Sequence, residues 1–407
     1  MNQDYQGHNR PLDVTRVIEV DPDPRNRGYE LHSKSLGHLF TQNDGWSLDR
    51  VIDWLFNVGQ LILQPTRFAD ELARILAESG VPIIRLRFAF RTLHPQVAAC
   101  TFTWTQGKNS TEFCVLHKDS SGDTLADPEL EQLLTKKEMD GISLQLTSST
   151  GECNIMNVVT KSSNGLSTED ITKFNVLAVL LSPVIELLAT RRITTTLLDT
   201  YIGHRAGQRV LDGLIMRGDG ETIDAVIWYS DLRDFTLLTE TLAPDALLSM
   251  LNTYFEYVST AVSQRGGEVL RFIGDAMLIV FPVEKNADVS QTCRSALDAA
   301  NDTLLSLDAL NRQRQQAGAP PIRFGIGLHI GQVIYGNVGA PNRLDFTVMG
   351  AAVNRTARLE ELTKKVGVPL LLSAEIAAHA EGGVRSMGKY SMRGVAEQQE
   401  VFTFLAD

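Results

Sequence analysis

The chain has few cysteines and no excess of basic residues, and each shortage excludes a class of protein. Its four cysteines lie far apart, and no two form a CxxC pair. That spacing argues against a zinc site or a disulfide framework and predicts reduced thiols. Lys and Arg number 38 against 49 Asp and Glu, a net charge of 38 − 49 = −11. This balance argues against a nucleic-acid surface and against binding to an anionic membrane. The cysteines are Cys100, Cys114, Cys153 and Cys293.

A long apolar run is also missing. The longest, at 176–189, is interrupted by Pro183 and Glu186, and no signal peptide precedes it. We therefore expect no transmembrane helix and a cytoplasmic protein. With 407 residues the chain is too long for a single core, so we expect at least two domains.

Changes in composition along the chain suggest four segments. Residues 1–45 are polar and rich in Asp, Asn, Arg and Pro, which is typical of a loose arm. Residues 46–190 mix helical and strand-like patterns, which predicts an α+β domain. Residues 191–222 read as a helical connector that ends in a Gly- and Asp-rich loop, and residues 223–407 form the second domain.

Local signals in 46–190 predict particular elements. "SLDRVIDWLFN" reads as an amphipathic helix with Ser47 as its cap. Ser167 and Asp170 form a capping box before a long apolar helix. Six leucines and valines of that helix have the spacing of a parallel dimer seam, although a buried core face explains them equally well. They are Leu177, Leu180, Leu181, Val184, Leu187 and Leu188. His94 and Cys100 are more typical of packing residues than of metal ligands.

The pattern of 223–407 predicts the order β-α-β-β-α-β, a ferredoxin-like palm. Pro244 opens the first helix, and a second helix is expected from 288 to 314. Between them, "VLRFIGDAMLIV" reads as two buried strands joined by a Gly274-Asp275 turn.

Two carboxylates stand out in this palm. Asp231 ends the first strand and Asp275 lies in the hairpin turn, so neighbouring strands would bring both to one end of the sheet. Mg²⁺ and Mn²⁺ bind one or two carboxylates together with substrate phosphates. Taken singly, each Asp is more ordinary, as a helix cap or a turn residue.

A third feature is the pair Asn354 and Arg358, which are four residues apart and share one helix face. An amide and a guanidinium together suit a ribose oxygen and a developing phosphoryl charge. A solvated helix face is the alternative.

Together, the segments "YSDLRDFT", "GGEVLRFIGDAMLIVF", "GLHIGQVIYGNVGA" and "LDFTVMGAAVNRTARL" resemble the class III nucleotide cyclase catalytic domain over about 223–405. The resemblance implies that Asp231, Leu232 and Asp275 hold two Mg²⁺ or Mn²⁺ ions. It implies that Asn354 positions the ribose and that Arg358 stabilises the transition state. It also implies a homodimer, in which the metal-binding residues of one subunit meet the Asn354 and Arg358 helix of the other.

The resemblance also suggests the residues that bind the rest of the substrate. Arg271 and Thr347 fall at the positions that read the base, where ATP cyclases usually have Lys instead of Arg. A guanidinium is donor-only, and adenine N1 is an acceptor, so ATP is favoured over GTP. Phe235 and Thr236 begin a turn or helix that can hold phosphate, and Arg393 matches a basic residue that binds substrate phosphate.

The predicted function is therefore an adenylate cyclase. A guanylate cyclase and a non-catalytic nucleotide-binding module are the alternatives. A diguanylate cyclase should show a Gly-Gly-Asp/Glu-Glu-Phe turn, and this chain has "IGDAM" there instead. "GLSTEDITKFNVLAVLLSPVIELL" resembles the last helix of a GAF-type sensor, which implies a regulatory first domain. The subgroup with Thr at position 347 suggests bicarbonate or another small molecule as a regulator.

Overall fold

The computed structural model describes eight stretches of the chain, which separate into two compact units between Leu197 and Leu198. The predicted arm at 1–45 lies outside the described residues except for Gly45. The described stretches are 45–117, 124–136, 138–149, 153–162, 165–284, 288–380, 382–394 and 397–404.

The first unit contains a five-stranded sheet in the order β3-β2-β1-β5-β4, with every neighbouring pair antiparallel. This confirms the expected α+β composition of the segment. The elements are α1 (Leu48–Asn57), a 3₁₀ turn (Gly59–Leu61), α2 (Pro65–Glu78), β1 (Ile83–Arg91), β2 (Val97–Thr105), β3 (Thr111–Leu116), α3 (Pro128–Leu134), β4 (Met139–Thr147), β5 (Cys153–Lys161) and α4 (Thr168–Ile202), which continues past the division between the units.

Helix α4 begins with the predicted capping box. The Asp170 carboxylate accepts a hydrogen bond from the Ser167 amide at 2.9 Å, and the Ser167 hydroxyl accepts one from the Asp170 amide at 3.1 Å. Trp46 adds a bond from its indole N–H to Asp170 at 2.9 Å. At the start of α1, Ser47 is the N-cap residue but its side chain makes no capping hydrogen bond.

The inner face of α4 packs into the core of the first unit, so three of the six proposed seam residues are core residues. Leu177, Leu181 and Leu188 are buried in the apolar cluster, whereas Leu187 is exposed. The α4 helix is also long and apolar enough to span a membrane by length and composition, which the sequence pattern did not lead us to expect. A core helix passes the same test, and this helix contributes to the core.

The prediction of reduced thiols is wrong for two of the cysteines. Cys100 and Cys114 form a disulfide, because they lie directly opposite each other on β2 and β3. They are 14 residues apart in sequence. Only strand pairing brings them together, which sequence spacing did not reveal. Glu112 lies beside Cys114 on β3.

The second unit is built on an eight-stranded sheet in the order β12-β13-β11-β9-β6-β8-β7, with β10 paired to β9. Its elements are α5 (His204–Leu211), β6 (Gly220–Leu232), α6 (Phe235–Thr241), α7 (Pro244–Gln264), β7 (Glu268–Ile273), β8 (Ala276–Pro282), α8 (Val289–Gln316), β9 (Phe324–Ala340), β10 (Arg343–Met349), α9 (Ala351–Val366), β11 (Leu370–Ser373), α10 (Ala374–Ala377), β12 (Val384–Tyr390) and β13 (Gln399–Phe404).

The predicted β-α-β-β-α-β order is confirmed by β6, α7, β7, β8, α8 and β9. Pro244 is the first residue of α7, and the Asp288 side chain caps α8 by accepting a bond from the Ser290 amide at 2.9 Å. Trp228 on β6 and Tyr254 on α7 are fully buried in the main core of this unit. The long antiparallel pairings of β6 with β9 and β8 fix where each strand ends.

One strand of the hairpin differs from the prediction. Strand β8 is buried, but β7 ends with Phe272 and Ile273 exposed by 53% and 44%. Strand β7 is the last strand of the sheet order, so it has a neighbouring strand on one side only. Apolar residues at the end of such a strand need not be covered by the same chain.

The disulfide gives the first testable prediction. Closing a loop of this size stabilises the folded state by about 3 kcal/mol in the chain-entropy account. We expect a reducing agent to lower the denaturant midpoint of the full-length protein and to have no further effect on Cys114→Ser. Tryptophan fluorescence suits the measurement, because Trp46, Trp54 and Trp104 all lie in the first unit.

Cys293→Ser is the matched control, since Cys293 is a buried free thiol in the second unit. It should keep the response to reductant. Four titratable thiols in the unreduced, denatured protein would contradict the disulfide.

Candidate active site

The sheet of the second unit brings Asp231 and Asp275 to the same end. Strands β6 and β8 pair antiparallel with Ser230 opposite Met277, so the end of β6 lies next to the turn that precedes β8. Both carboxylates are half-buried and line one cavity of about 1000 Å³. The expected juxtaposition of these two residues is therefore present in the fold.

The two carboxylates repel each other. Burial, followed by a hydrogen bond to Asp231 and its negative charge, raises the pKa of Asp275 from 3.8 to about 6. Lys364, which lines the same cavity, acts in the opposite direction on this pKa. Among the residues that the structure describes, no Lys, Arg or His forms an ion pair with either Asp within 4.0 Å. No described cationic side chain therefore directly offsets the repulsion between Asp231 and Asp275.

This donor set fits a divalent cation. Mg²⁺ and Mn²⁺ bind one or two carboxylates and complete their coordination with water and phosphate oxygens. Two adjacent acids in an open cavity offer hard oxygen ligands and leave room for a phosphate-bearing substrate. Leu232, the third predicted metal residue, also lines the cavity; its side chain is buried, so only its backbone carbonyl is a candidate ligand.

A buried ion pair holds the chain directly after Asp231. Arg233 donates to Glu360 on α9 at 3.0 Å and also to the hydroxyl of Thr363. Glu360 is buried, and burial together with Asp231 raises its pKa to about 7 although Arg233 lowers it. Gly325 on β9 leaves room for this pair, because a Cβ there would collide with Glu360 and Thr363. This contact ties the end of β6 to α9.

The next residues form the rim of the cavity. Asp234 adopts a left-handed backbone conformation with φ of 58° and pairs with Arg323 at 2.7 Å. Phe235 and Thr236, both predicted to bind substrate, follow it at the start of α6 and line the cavity. These two residues thus line the same cavity as the two carboxylates, and their role in binding stays a prediction.

Five of the ten predicted site residues do not line this cavity: Asn354, Arg358, Arg393, Arg271 and Thr347. Asn354 is exposed on α9, and Arg358 on the same helix is half-exposed and bonded to Glu361 at 2.8 Å. Arg393 is exposed in the turn that follows β12. Within one chain, the fold therefore separates the Asn354 and Arg358 pair from the Asp231 and Asp275 pair.

Part of the chain matches a known protein family. The profile of the family described as the adenylate and guanylate cyclase catalytic domain matches residues 220–406. Residues 220–406 belong to this cyclase family.

Two curated relatives and one solved structure illustrate the similarity. The chain is 30% identical over 178 residues to adenylate cyclase 1 of Rhizobium meliloti (strain 1021), covering 43% of this chain and 26% of that protein. It is 34% identical over 163 residues to an adenylate cyclase of Anabaena cylindrica, and the match covers 39% of this chain and 31% of that protein. It is 30% identical to a bacterial light-regulated adenylyl cyclase of known structure. That match covers 45% of this chain and 91% of the other chain, with a TM-score of 0.40. The chain thus spans less than a third of either curated relative.

The two residues predicted to read the base lie on strands that contact each other without hydrogen-bonded pairing. Arg271 is exposed on β7, Thr347 is 8% exposed on β10, and β10 passes beside β7. The structure also places Asp345 here, a residue that the sequence did not suggest. Its carboxylate contacts the guanidinium of Arg271. Only the packing of β10 against β7 reveals this contact.

Lys364 is the second residue that the sequence did not single out. It lies on α9, lines the cavity with Asp231 and Asp275, and forms no ion pair with any residue that the structure describes. Its neighbour Lys365 instead has its ammonium 5.9 Å from the centroid of the Tyr390 ring. A lysine-rich helix end is common in sequences, so the pattern alone gave no signal.

The raised pKa of Asp275 gives a prediction for the metal-free protein. Its pKa in the folded state exceeds the unfolded value, so stability is fully present below pH 4 and declines as the pH rises through about 6. We expect Asp275→Asn to remove this decline. Since Asp275 is partly exposed, the gain at pH 7 is about 1 kcal/mol.

The measurement is the denaturant midpoint of each protein from pH 4 to 8 in a chelator, repeated with Mn²⁺. Mn²⁺ should stabilise the wild-type protein and have much less effect on Asp275→Asn. Asp302→Asn is the control, because Asp302 does not line the cavity and forms an exposed ion pair with Arg265 at 2.8 Å. An equal response to Mn²⁺ in all three proteins would contradict a metal site at Asp275.

Proposed function

We propose that the chain is an adenylate cyclase that converts ATP to 3′,5′-cyclic AMP and pyrophosphate. The observation that carries the proposal is the pair of adjacent carboxylates, Asp231 and Asp275, in a cavity of a domain that belongs to the cyclase family. The named relatives are adenylate cyclases, which supports ATP as the substrate.

Asp231, Asp275 and the carbonyl of Leu232 would hold two Mg²⁺ or Mn²⁺ ions. When bound, such ions polarise the ribose 3′-hydroxyl and neutralise charge on the triphosphate. The 3′-oxygen attacks the α-phosphorus in line, the bond from the α-phosphorus to the bridging oxygen breaks, and pyrophosphate leaves. The hydroxyl proton passes to solvent, so no side chain need act as the base.

The remaining roles fall to side chains on α9 and around the cavity. Asn354 positions the ribose, and the Arg358 guanidinium stabilises charge that develops on the transferring phosphoryl group. Phe235, Thr236 and Lys364 face the triphosphate. Arg393 is proposed to reach the phosphates from outside the cavity.

A homodimer follows from the separation of these residues within one chain. Asn354 and Arg358 are exposed or half-exposed and lie outside the cavity of their own subunit. A second chain that presents its α9 face to the cavity would complete the site. Because an isologous interface acts in both directions, such a dimer contains two equivalent sites.

The first unit is proposed to be a GAF-like sensor that regulates the cyclase. Its support is the resemblance of the α4 segment and the antiparallel sheet with packed helices. The regulator is proposed to be a small molecule, with bicarbonate as one candidate.

The direct test is product formation from ATP by the purified chain with Mn²⁺ or Mg²⁺. Asp275→Ala and Arg358→Ala should each lower the rate at least about 100-fold. An equal mixture of the two variants should recover about a quarter of wild-type activity, because half of randomly formed dimers are mixed and have one intact site.

Failure of the mixture to recover activity, with mixed dimers demonstrated by differential tags, would contradict a site shared between subunits. A folded dimer that forms no cyclic nucleotide would favour a binding-only domain. Truncation to residues 200–407 would then show whether the first unit suppresses activity.

Lys364 gives a separate prediction. An ammonium that meets a triphosphate makes charge-assisted hydrogen bonds worth about 1.5–3 kcal/mol, so Lys364→Ala should raise the KM for ATP about 10-fold or more. Lys365→Ala is the matched control on the same helix, and its KM should stay within about twofold, since an exposed charge outside the site contributes little. Equal effects of the two substitutions would contradict the proposed role of Lys364.

A further inference from the structure

His329 is a buried imidazole on β9, and the strand pairing decides what lies beside it. Strand β11 pairs with β9 in parallel, with Leu372 opposite Leu328, so Ser373 at the end of β11 lies next to His329. The imidazole Nδ1 is 2.9 Å from the Ser373 hydroxyl oxygen, and both side chains are buried. Buried polar groups need such partners, so this pair fixes the position of the ring.

The carboxylate of Glu375 connects this buried pair to helix α9. Glu375 lies in α10, two residues after Ser373. One of its oxygens is 3.6 Å from His329 Nδ1 on β9, and the other is 3.7 Å from Nη1 of Arg355 on α9. The Glu375 and Arg355 side chains are exposed by 49% and 34%, so breaking their contact costs the fold little.

Arg355 is the cation that Glu375 faces at neutral pH. Burial lowers the pKa of the His329 imidazole, and the charge of Glu375 does not restore it, so the ring is neutral at pH 7. Burial raises the pKa of the Glu375 carboxylate, but the hydrogen bonds and charges around it lower that pKa by more. The ionised carboxylate therefore attracts Arg355, while the neutral imidazole limits where the carboxylate lies.

Arg355 follows Asn354 directly, near the start of α9. This end of the helix packs closely onto β9, because a Cβ at Gly331 would lie 3.0 Å from the Cβ of Ala352. The helix cannot move closer to the sheet here, and the contact of Arg355 restricts its rotation about its own axis. Asn354 and Arg358 would change direction in any such rotation, because all three residues belong to one helix.

We propose that Glu375 is a positioning residue of the cyclase reaction, which acts through Arg355 to set the direction in which α9 presents Asn354 and Arg358 to a partner's cavity. This inference rests on the proposed function and its homodimer. Glu375 itself contacts neither substrate nor metal in this account. Small displacements of groups that act in the transition state lower the rate, so loss of the contact should change kcat more than KM or stability.

The first measurement compares steady-state kinetics of the wild-type protein with those of Glu375→Gln, Arg355→Gln and Arg355→Lys. Glu375→Gln removes the charge and keeps the shape, so kcat should fall about 10-fold while the KM for ATP stays within about twofold. The thermal midpoint should not change. Arg355→Gln should have the same effect, and Arg355→Lys, which keeps the charge, should recover part of the loss.

Glu284→Gln is the matched control. Glu284 forms an exposed ion pair with Arg205 at 2.6 Å and does not line the cavity of Asp231 and Asp275. Its kcat should equal that of the wild-type protein. A kcat for Glu375→Gln within about twofold of this control would overturn the inference, since an exposed pair without a positioning role contributes little.

Mixed dimers show which half of the site Glu375 serves. Mixed with Asp275→Ala, Glu375→Gln should recover about a quarter of wild-type activity, because one site of each mixed dimer combines intact carboxylates with an intact α9. Mixed with Arg358→Ala, it should reach only about a twentieth, because every site then contains an altered α9. Recovery with Arg358→Ala, or equal results for both mixtures, would overturn the inference.

Hydrogen–deuterium exchange separates this inference from the proposed function, because it needs no turnover. Glu375→Gln should speed amide exchange in residues 351–358 at least about threefold and leave α7 unchanged. Faster exchange there would support the role of Glu375 even if the wild-type protein formed no cyclic nucleotide, a result that contradicts the proposed function alone. Unchanged exchange in residues 351–358 would overturn the inference whatever the activity.

Discussion

Mutual repulsion between Asp231 and Asp275 is the constraint on which the rest of the cyclase domain depends. Two carboxylates that share a hydrogen bond and lack a paired cation among the described residues lower the stability of the fold that unites them. The antiparallel pairing of β6 with β8 nevertheless fixes them together. The apolar core around Trp228 and Tyr254 offsets that cost, and a divalent cation would remove it.

The buried ion pair of Arg233 and Glu360 links the residue that follows Leu232 to helix α9. Truncating one partner of such a pair leaves a buried charge without compensation, which is strongly destabilising. The pair sets the direction of the chain as it leaves Asp231 toward Phe235 at the cavity rim. Gly325 belongs to this arrangement because any larger residue would displace the contact. The packing of α9 and the rim of the cavity therefore depend on the same few residues.

Sequence patterns predicted the features that local chemistry controls. The capping box at Ser167, the helix start at Pro244 and the hairpin turn at Gly274-Asp275 each follow from rules that span a few residues. Contacts between distant strands were not predictable. The Arg271 and Asp345 contact requires the position of β10 beside β7, and the disulfide of Cys100 requires the pairing of β2 with β3.

Helix α9 has two faces with separate tasks. Its buried face carries Thr356, Glu360 and Thr363, spaced at i, i+4 and i+7, and the helix contacts β9 and β6, the strand that carries Asp231. Asn354 and Arg358 lie on its more exposed side, outside their own cavity. Because one helix carries both sets, a movement of α9 toward a partner's cavity in the proposed dimer would also move Glu360, which accepts a hydrogen bond from Arg233 at the end of β6. Formation of such a dimer would then alter the geometry around Asp231.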